Sequence, residues 1–281
     1  ETFSPPLTEE SGQDEAVLQA KTVFEICRWI EKQQEKGYVT EEKGVYWDGV
    51  KLTEKMEKMI PRSLEVLKQR GLDLTKEPAI ISVGYHQALG GIAIGTHGET
   101  DVPGLFACGE CSGGFHGAER LMGTGVMDSL VFGRRAGEAA ANASAGERTA
   151  KWLPAPDKQK ESKLPIFPEE GFKQLQTAMD KILVTKSEEK LNGAKEEVER
   201  LVSTLDELDL ESVGAQQRLR LSELKDALRI AAAYIAACQA RKESRGSFIR
   251  SDYPNEDPLL AAPSYIRQVG SFRFDVQINK Q

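Results

Sequence analysis

The chain has 281 residues, 40% of them hydrophobic, enough for one large domain or two ordinary ones with real cores, which excludes general disorder. Its 44 acidic side chains against 37 basic ones leave a net charge of −7, which argues against partners such as nucleic acid or anionic membranes. No apolar run reaches the roughly 20 residues that cross a bilayer. The start Glu1-Thr-Phe-Ser-Pro-Pro lacks the basic head and apolar centre of a signal peptide, so the sequence reads as soluble and cytoplasmic, with no membrane span.

In chain order, residues 15 to 36 place Val17, Leu18, Val23, Phe24, Ile26, Cys27 and Ile30 at helical spacing. A second helix is predicted over 53 to 69, with Met56, Met59, Ile60, Leu64 and Leu67 on one face and Gly71 as its C-terminal stop. Between them Tyr38-Val-Thr and Val45-Tyr-Trp read as short extended pieces. From Ala79 to Gly114 the apolar runs shorten and glycines intervene. Ala79-Ile-Ile-Ser-Val, Ile92-Ala-Ile and Leu105-Phe-Ala-Cys are strand candidates, and a helix is predicted over Val126 to Ala143.

The Pro-rich, charged stretch beginning Lys151-Trp-Leu-Pro marks a linker. Beyond it come three apolar stripes at helical spacing. The first is Phe172, Leu175, Met179, Ile182 and Leu183. The second is Val198, Leu201, Val202, Leu205 and Leu208, and the third Leu221, Leu224, Leu228, Ala231 and Ile235. Such helices bury their stripes against one another or another domain, so a small bundle is predicted. The strict alternation of Phe272-Arg-Phe-Asp-Val-Gln-Ile278 predicts a terminal strand.

Chemistry concentrates between Tyr85 and Arg135. Ala107-Cys-Gly-Glu110 leading into Gly113-Gly114 puts backbone amides and one carboxylate at a strand end, where ligands of α/β proteins bind, and Glu110 suits sugar or ribityl hydroxyls. A helix starting near Thr124-Gly125 leaves amide donors free in its first turn, and these favour negative charge. Gly125 and Gly90-Gly91 allow a flat ligand to approach the backbone. His86 and Arg120 are the candidates for binding a carboxylate, since a guanidinium matches that group in two-pronged geometry. Taken alone, these residues also suit blander roles: Glu110 a solvated turn glutamate, His86 a structural histidine, Arg120 a salt-bridge former. Cys108 and Cys111 form a C-x-x-C pair with only His116 nearby, so no metal site is expected.

Two separated segments carry a family resemblance over roughly residues 45 to 281. One is Tyr85-His-Gln-Ala-Leu-Gly-Gly91 with the run from Thr100 through Cys108-Gly-Glu-Cys-Ser-Gly-Gly-Phe-His-Gly-Ala-Glu-Arg120 to Arg135. The other is Glu243-Ser-Arg-Gly-Ser-Phe-Ile-Arg-Ser-Asp-Tyr-Pro254. They resemble the C-terminal portion of the FAD flavoproteins of the fumarate reductase, succinate dehydrogenase and L-aspartate oxidase group. The resemblance implies FAD as cofactor and hydride transfer between flavin and a carboxylate-bearing, fumarate- or succinate-like substrate.

It assigns His86 and Arg120 to the carboxylate, and Gly90, Gly91, Gly109, Glu110, Gly123, Thr124, Gly125, Val126 and Met127 to the flavin. The implied fold is α/β, the rear half of an FAD-binding Rossmann-like domain with a capping-domain remnant, followed by a helical bundle domain. The expected divisions are 1–77 for the capping remnant, 78–146 for the flavin domain, 147–168 for the linker and 169–281 for the bundle with its strand. Glu119, Thr124-Gly125 and Phe248 stand where the family usually has Asn, Asn-Ser and His. The family's G-x-G-x-x-G fingerprint and Arg-Gly-Glu-Gly-Gly element would lie upstream of Glu1. The expected partner is therefore a chain or segment carrying the dinucleotide-binding loop, and the resemblance further implies an iron-sulfur electron-transfer subunit. An amino-acid oxidase of the L-aspartate oxidase type, and a non-catalytic assembly subunit retaining the fold, are the alternative readings.

Overall fold

Proline 61 sets the first departure from the sequence pattern. The computed structural model describes residues 23–37, 44–47, 50, 53–121, 123–143, 168–208 and 213–278. The helix predicted over 53 to 69 is two helices, α2 (Thr53–Met59) and α3 (Pro61–Gln69), with Ile60 at φ −135° between them. Proline has no N–H to donate, and it disfavours helical backbone in the residue before it, so the chain restarts with Pro61 at the first helical position. Gly71, at φ 88°, stops α3 as expected.

These helices belong to the first of two compact units, which ends at Tyr85. It also holds α1 (Val23–Glu35) and an antiparallel pair, β1 (Val45–Trp47) with β2 (Ala79–Ile81), in the register Val45↔Ile81. Met56, Leu74 and Ala79 form its small core under Trp47, Leu64 and Leu67. The predicted helix start at residues 15 to 22 and the piece Tyr38-Val-Thr lie outside the described residues.

The second unit begins at His86. Here β3 (Ile92–Ala93) pairs in parallel with β4 (Ser112–Gly113), and α4 (Thr124–Asn142) follows, starting two residues earlier than the periodicity predicts. The strand expected at Leu105-Phe-Ala-Cys does not form; Phe106 makes only a single bridge to Glu99. Its backbone is taken up locally instead. Leu105 O accepts from the Thr100 amide at 3.1 Å and Ala107 N–H donates to Gly98 O at 2.8 Å, which ties the segment to its own preceding turn. Gly98 makes that turn possible, with φ 76° and room for a hydrogen only, since a Cβ would stand 2.6 Å from that of Ala136.

Of the predicted linker, residues 147 to 167 lie outside the described part. The bundle then forms as α5 (Pro168–Asp180), α6 (Glu188–Asp206) and α7 (Ala215–Ala240). Leu175, Ile182, Leu191, Val198, Leu201, Leu224, Leu228 and Ile235 make one continuous buried core. Burying such side chains stabilises by roughly 1.5–3 kcal/mol each. Helix α5 approaches α7 closely at Gly171, where a Cβ would lie 2.5 Å from a Leu224 methyl. The terminal strand is β8 (Phe274–Ile278), and it pairs antiparallel with β7 (Ser264–Gln268), a strand the pattern did not announce.

A short parallel bridge, β5 (Thr185–Lys186) with β6 (Ile249–Arg250), stitches the segment after α7 onto the start of α6. That segment carries an ionic network built on two fully buried side chains, Glu243 and Arg250. Glu243 accepts from Arg241, Arg245 and the Asp257 amide, while Arg250 donates to Asp252 at 2.7 Å, to Glu188 at 3.1 Å and to the Cys238 carbonyl at 2.6 Å. Hydrogen bonds from Arg250 lead the causes that hold the Asp252 carboxyl down to about 2. For Glu243, burial pushes the carboxyl up, but its bonds from Arg245, the Asp257 amide and Arg241 outweigh this, and it lies below the ordinary carboxylate value. Buried charges persist only when paired and hydrogen-bonded in this way.

Candidate functional site

The β3–β4 pairing brings together residues far apart in sequence. Gly91 lies against β4 so closely that a Cβ would stand 2.3 Å from the Cys111 carbonyl oxygen, and its φ of 149° admits only glycine readily. Ala88 N–H donates to a Glu110 carboxylate oxygen at 2.8 Å, which ties the 86–91 loop to the 3-10 turn Gly109–Cys111. With that loop fixed, His86 Nε2 sits 3.1 Å from Arg120 Nη2, across 34 residues of sequence. A guanidinium N–H can only donate, so in this contact Nε2 accepts and the ring proton sits on Nδ1. Arg120 Nη1 also donates to Leu121 O at 3.1 Å. His86 is exposed and Arg120 half-buried, so a cation is presented to a ligand without being sealed from solvent.

Helix α4 opens beside them. Its N-cap is Gly123 at φ 84°, with no side-chain cap, and the Thr124 hydroxyl donates backwards to Leu121 O at 2.7 Å. Thr124 N–H also donates to Leu121 O, at 3.3 Å, so the donor capacity of the first turn rests with the amides from Gly125 onward, and the helix dipole adds positive potential there. Gly125 is bare, with the Gln87 carboxamide so near that a Cβ would stand 2.9 Å from its oxygen. Val126 and Met127, 71% and 59% exposed, follow on the open side, and Leu130 at 64% extends this apolar stripe by one turn. Gly109, at φ 73°, lies 3.4 Å by its absent Cβ from the Ser129 hydroxyl. A Cβ on Gly90, at φ 103°, would meet nothing within 4 Å, although the Gly90 backbone itself lies against Gly113.

Glycines without side chains, uncapped amides, exposed apolar residues and one cation form a surface that suits a planar, polar-edged ring with an anion beside it. Of the predicted residues, His86, Arg120, Glu110 and the α4 head share one neighbourhood. Gly91 also packs against the start of β4, and Glu110 also spends one oxygen on Ala88.

Two contributors escaped the sequence. Gln87 lies against the α4 head, and its only signal is adjacency to His86. Ser247 donates by amide and hydroxyl to the Ala118 carbonyl, at 3.3 and 3.0 Å. Its signal was the Arg245-Gly-Ser turn, which periodicity does not interpret. Phe248, where a histidine was expected by resemblance, packs against the bundle core with the Lys186 ammonium 5.4 Å from its ring centre. A cavity of about 410 Å³ against α4 is lined by Phe115, His116, Thr124, Met127, Asp128 and Phe132. Cys108 and Cys111 are thiols, and Cys111 Sγ donates to Cys108 O at 3.2 Å.

Comparison with known proteins bears on this arrangement. Residues 10–126 match a family model described as an FAD binding domain, and residues 172–269 match one described as the fumarate reductase flavoprotein C-terminus. A fumarate reductase (CoM/CoB) chain from Methanothermobacter marburgensis is 34% identical, over 83% of this chain and 44% of its own length. An L-aspartate oxidase from Streptomyces coelicolor is 32% identical, over 72% of this chain and 36% of its own. Among solved structures, Mycobacterium smegmatis Sdh1 in complex with UQ1 shares the fold, with a TM-score of 0.74 at 24% identity, over 92% of this chain and 46% of that one. The chain thus spans under half the length of these relatives.

Proposed function

Because the chain carries the C-terminal portion of the fumarate reductase, succinate dehydrogenase and L-aspartate oxidase flavoprotein family, whose cofactor is FAD, we propose that it is the substrate-side half of an FAD-dependent oxidoreductase acting on a fumarate- or succinate-like dicarboxylate. The observation that carries this reading is the 3.1 Å contact of His86 with Arg120 beside an uncapped helix start.

Gly90, Gly91, Gly109, Glu110 and the run Gly123 to Met127 would hold the flavin. Bound FAD supplies hydride exchange with a carbon next to a carboxylate. Around it, the chain's own residues bind and orient. Arg120 takes the carboxylate through two parallel N–H donors, His86 adds a donor once its ring turns its Nδ1–H to the substrate, and the α4 amides stabilise negative charge at the head of the helix. The apolar Val126, Met127 and Leu130 give a ring system a surface from which water is excluded.

The divisions proposed are a capping remnant over 1–77, the rear of the flavin domain over 78–146, a linker over 147–168 and a bundle over 169–281. The partners proposed are a chain or segment carrying the phosphate-binding loop and an iron-sulfur electron-transfer subunit. The cytoplasm is the proposed location. A second reading, L-aspartate oxidase, is favoured by the 32% identity to the Streptomyces enzyme.

Turnover of the flavin-loaded protein with fumarate, succinate and L-aspartate tests the assignment. Dicarboxylate turnover that falls by orders of magnitude in Arg120→Ala supports it. Turnover of aspartate alone favours the second reading, and wild-type protein inert towards all three rejects both.

A further inference from the structure

The turn after α7 reaches across to the segment that ends in Arg120. Ser247 donates to the Ala118 carbonyl twice, from its amide at 3.3 Å and its hydroxyl at 3.0 Å, although 129 residues separate the two in sequence. Gly246 lies flat against the same carbonyl. Its φ is 55°, and a Cβ there would stand 2.7 Å from the Ala118 oxygen, closer than real Cβ contacts allow. The Ala118 carbonyl is thus gripped only two residues before Arg120.

The turn that grips it is itself braced. Arg245 and Phe248 exchange backbone hydrogen bonds at 2.9 and 3.0 Å, and Phe248 packs on the bundle core. The Arg245 side chain is locked to fully buried Glu243, which also takes Arg241 and the Asp257 amide. Arg241 in turn donates to Leu260 O and Ala262 O at 2.8 and 2.6 Å, so the grip is anchored to the bundle and to the chain leading into β7. A residue fixed in this way transmits the bundle's rigidity into the loop that presents the guanidinium.

We propose that Ser247 is a positioning residue for Arg120: its hydroxyl, backed by the Glu243–Arg245 pair and admitted by Gly246, holds the Ala118 carbonyl and so sets the guanidinium against His86 for carboxylate binding. This rests on the dicarboxylate reading of the site given above. Ser247 itself need not touch substrate. A correctly held guanidinium presents both N–H donors to one carboxylate, and a small displacement turns a two-pronged contact into a single one.

The test uses the flavin-loaded protein and malonate, a dicarboxylate that serves as a binding probe without turnover, followed through the flavin's visible absorbance. Flavin content and far-UV circular dichroism are recorded for every variant. Ser247→Ala is expected to weaken malonate about fivefold, the worth of one hydrogen bond, with flavin content and fold unchanged. Ser247→Thr, which returns the hydroxyl, restores the affinity. Gly246→Ala weakens it further by pushing on Ala118, and Arg120→Ala abolishes it.

If Ser247→Ala and Gly246→Ala bind malonate as the wild type does while Arg120→Ala does not, the positioning role is wrong and the site reading stands. Threonine no better than alanine at 247 also overturns the role. Wild-type affinity in Arg120→Ala removes the site reading, and this proposal with it.

Discussion

Replacing Glu243 by glutamine exposes how much the ionic network holds. The side chain is fully buried, and its two oxygens accept from Arg241 Nη1, from Arg245 Nε at 3.1 and 3.2 Å, from Arg245 Nη2 at 2.9 Å and from the Asp257 amide at 2.9 Å. Glutamine keeps the shape but turns one acceptor into a donor facing guanidinium N–H groups, and it leaves two cations short of their counter-charge.

Breaking a buried pair costs about 3–5 kcal/mol. The low end applies here, because Arg241 keeps Leu260 O, Ala262 O and the Ser264 hydroxyl, and Arg245 keeps Glu256 at 3.0 Å and Asp257 O at 3.1 Å. Their side chains, 15% and 24% exposed, also regain some water. About 3 kcal/mol corresponds to a fall of roughly 1–2 M in the urea midpoint of the helical signal. The penalty should shrink in acid, since a carboxyl held below its ordinary value stabilises fully above that value and loses this as pH falls and both states take up the proton. An unchanged midpoint at neutral pH, or a penalty that grows in acid, would refute the reasoning.

Asp252, held down to about 2 chiefly by Arg250, contributes stability that is complete above the ordinary aspartate value near 3.8 and is lost as pH falls towards 2. Its worth is roughly 1–2 kcal/mol after solvent screening, and Asp252→Asn should flatten the acid limb of a pH-dependent melting series. Leu224→Ala, at a fully buried position where α5 and α7 meet, should cost about 3 kcal/mol by leaving a cavity, measured by urea unfolding; a loss under half of that contradicts the packing. Gly98→Val should lower the melting temperature measurably, because its Cβ would collide with Ala136 and its φ of 76° strains any branched residue.

Much of this molecule is written in its periodicities. The three apolar stripes from Phe172 to Ile235 became α5 to α7, because a helical stripe names its own buried face. The break at Pro61 was equally present as a residue, but a continuous stripe from Met56 to Leu67 masked it. Strands were harder: two-residue ladders such as Ile92–Ala93 carry no alternation, and the strand β7 became visible only beside β8.

The candidate site's residue types were legible in the sequence, and its wiring was not. His86 and Arg120 stood out as charge-bearing residues among glycines, but Gln87, Ser247 and the Glu110–Ala88 bond depend on chain crossings that no local spacing encodes. The Glu243–Arg250 network belongs to the same class. Its motif was visible in the sequence, while its burial and partners arise only when the segment folds back on α6 and α7.

The central claim is that the α4 head and the His86 loop border an isoalloxazine ring, with Arg120 on the substrate. A crystal structure of the flavin-loaded protein with a bound dicarboxylate tests it most directly. The account predicts a ring in contact with Gly125 and a carboxylate paired to Arg120 beside His86. A structure in which that border is filled by the protein's own side chains, with the flavin or the carboxylate held elsewhere, would contradict it.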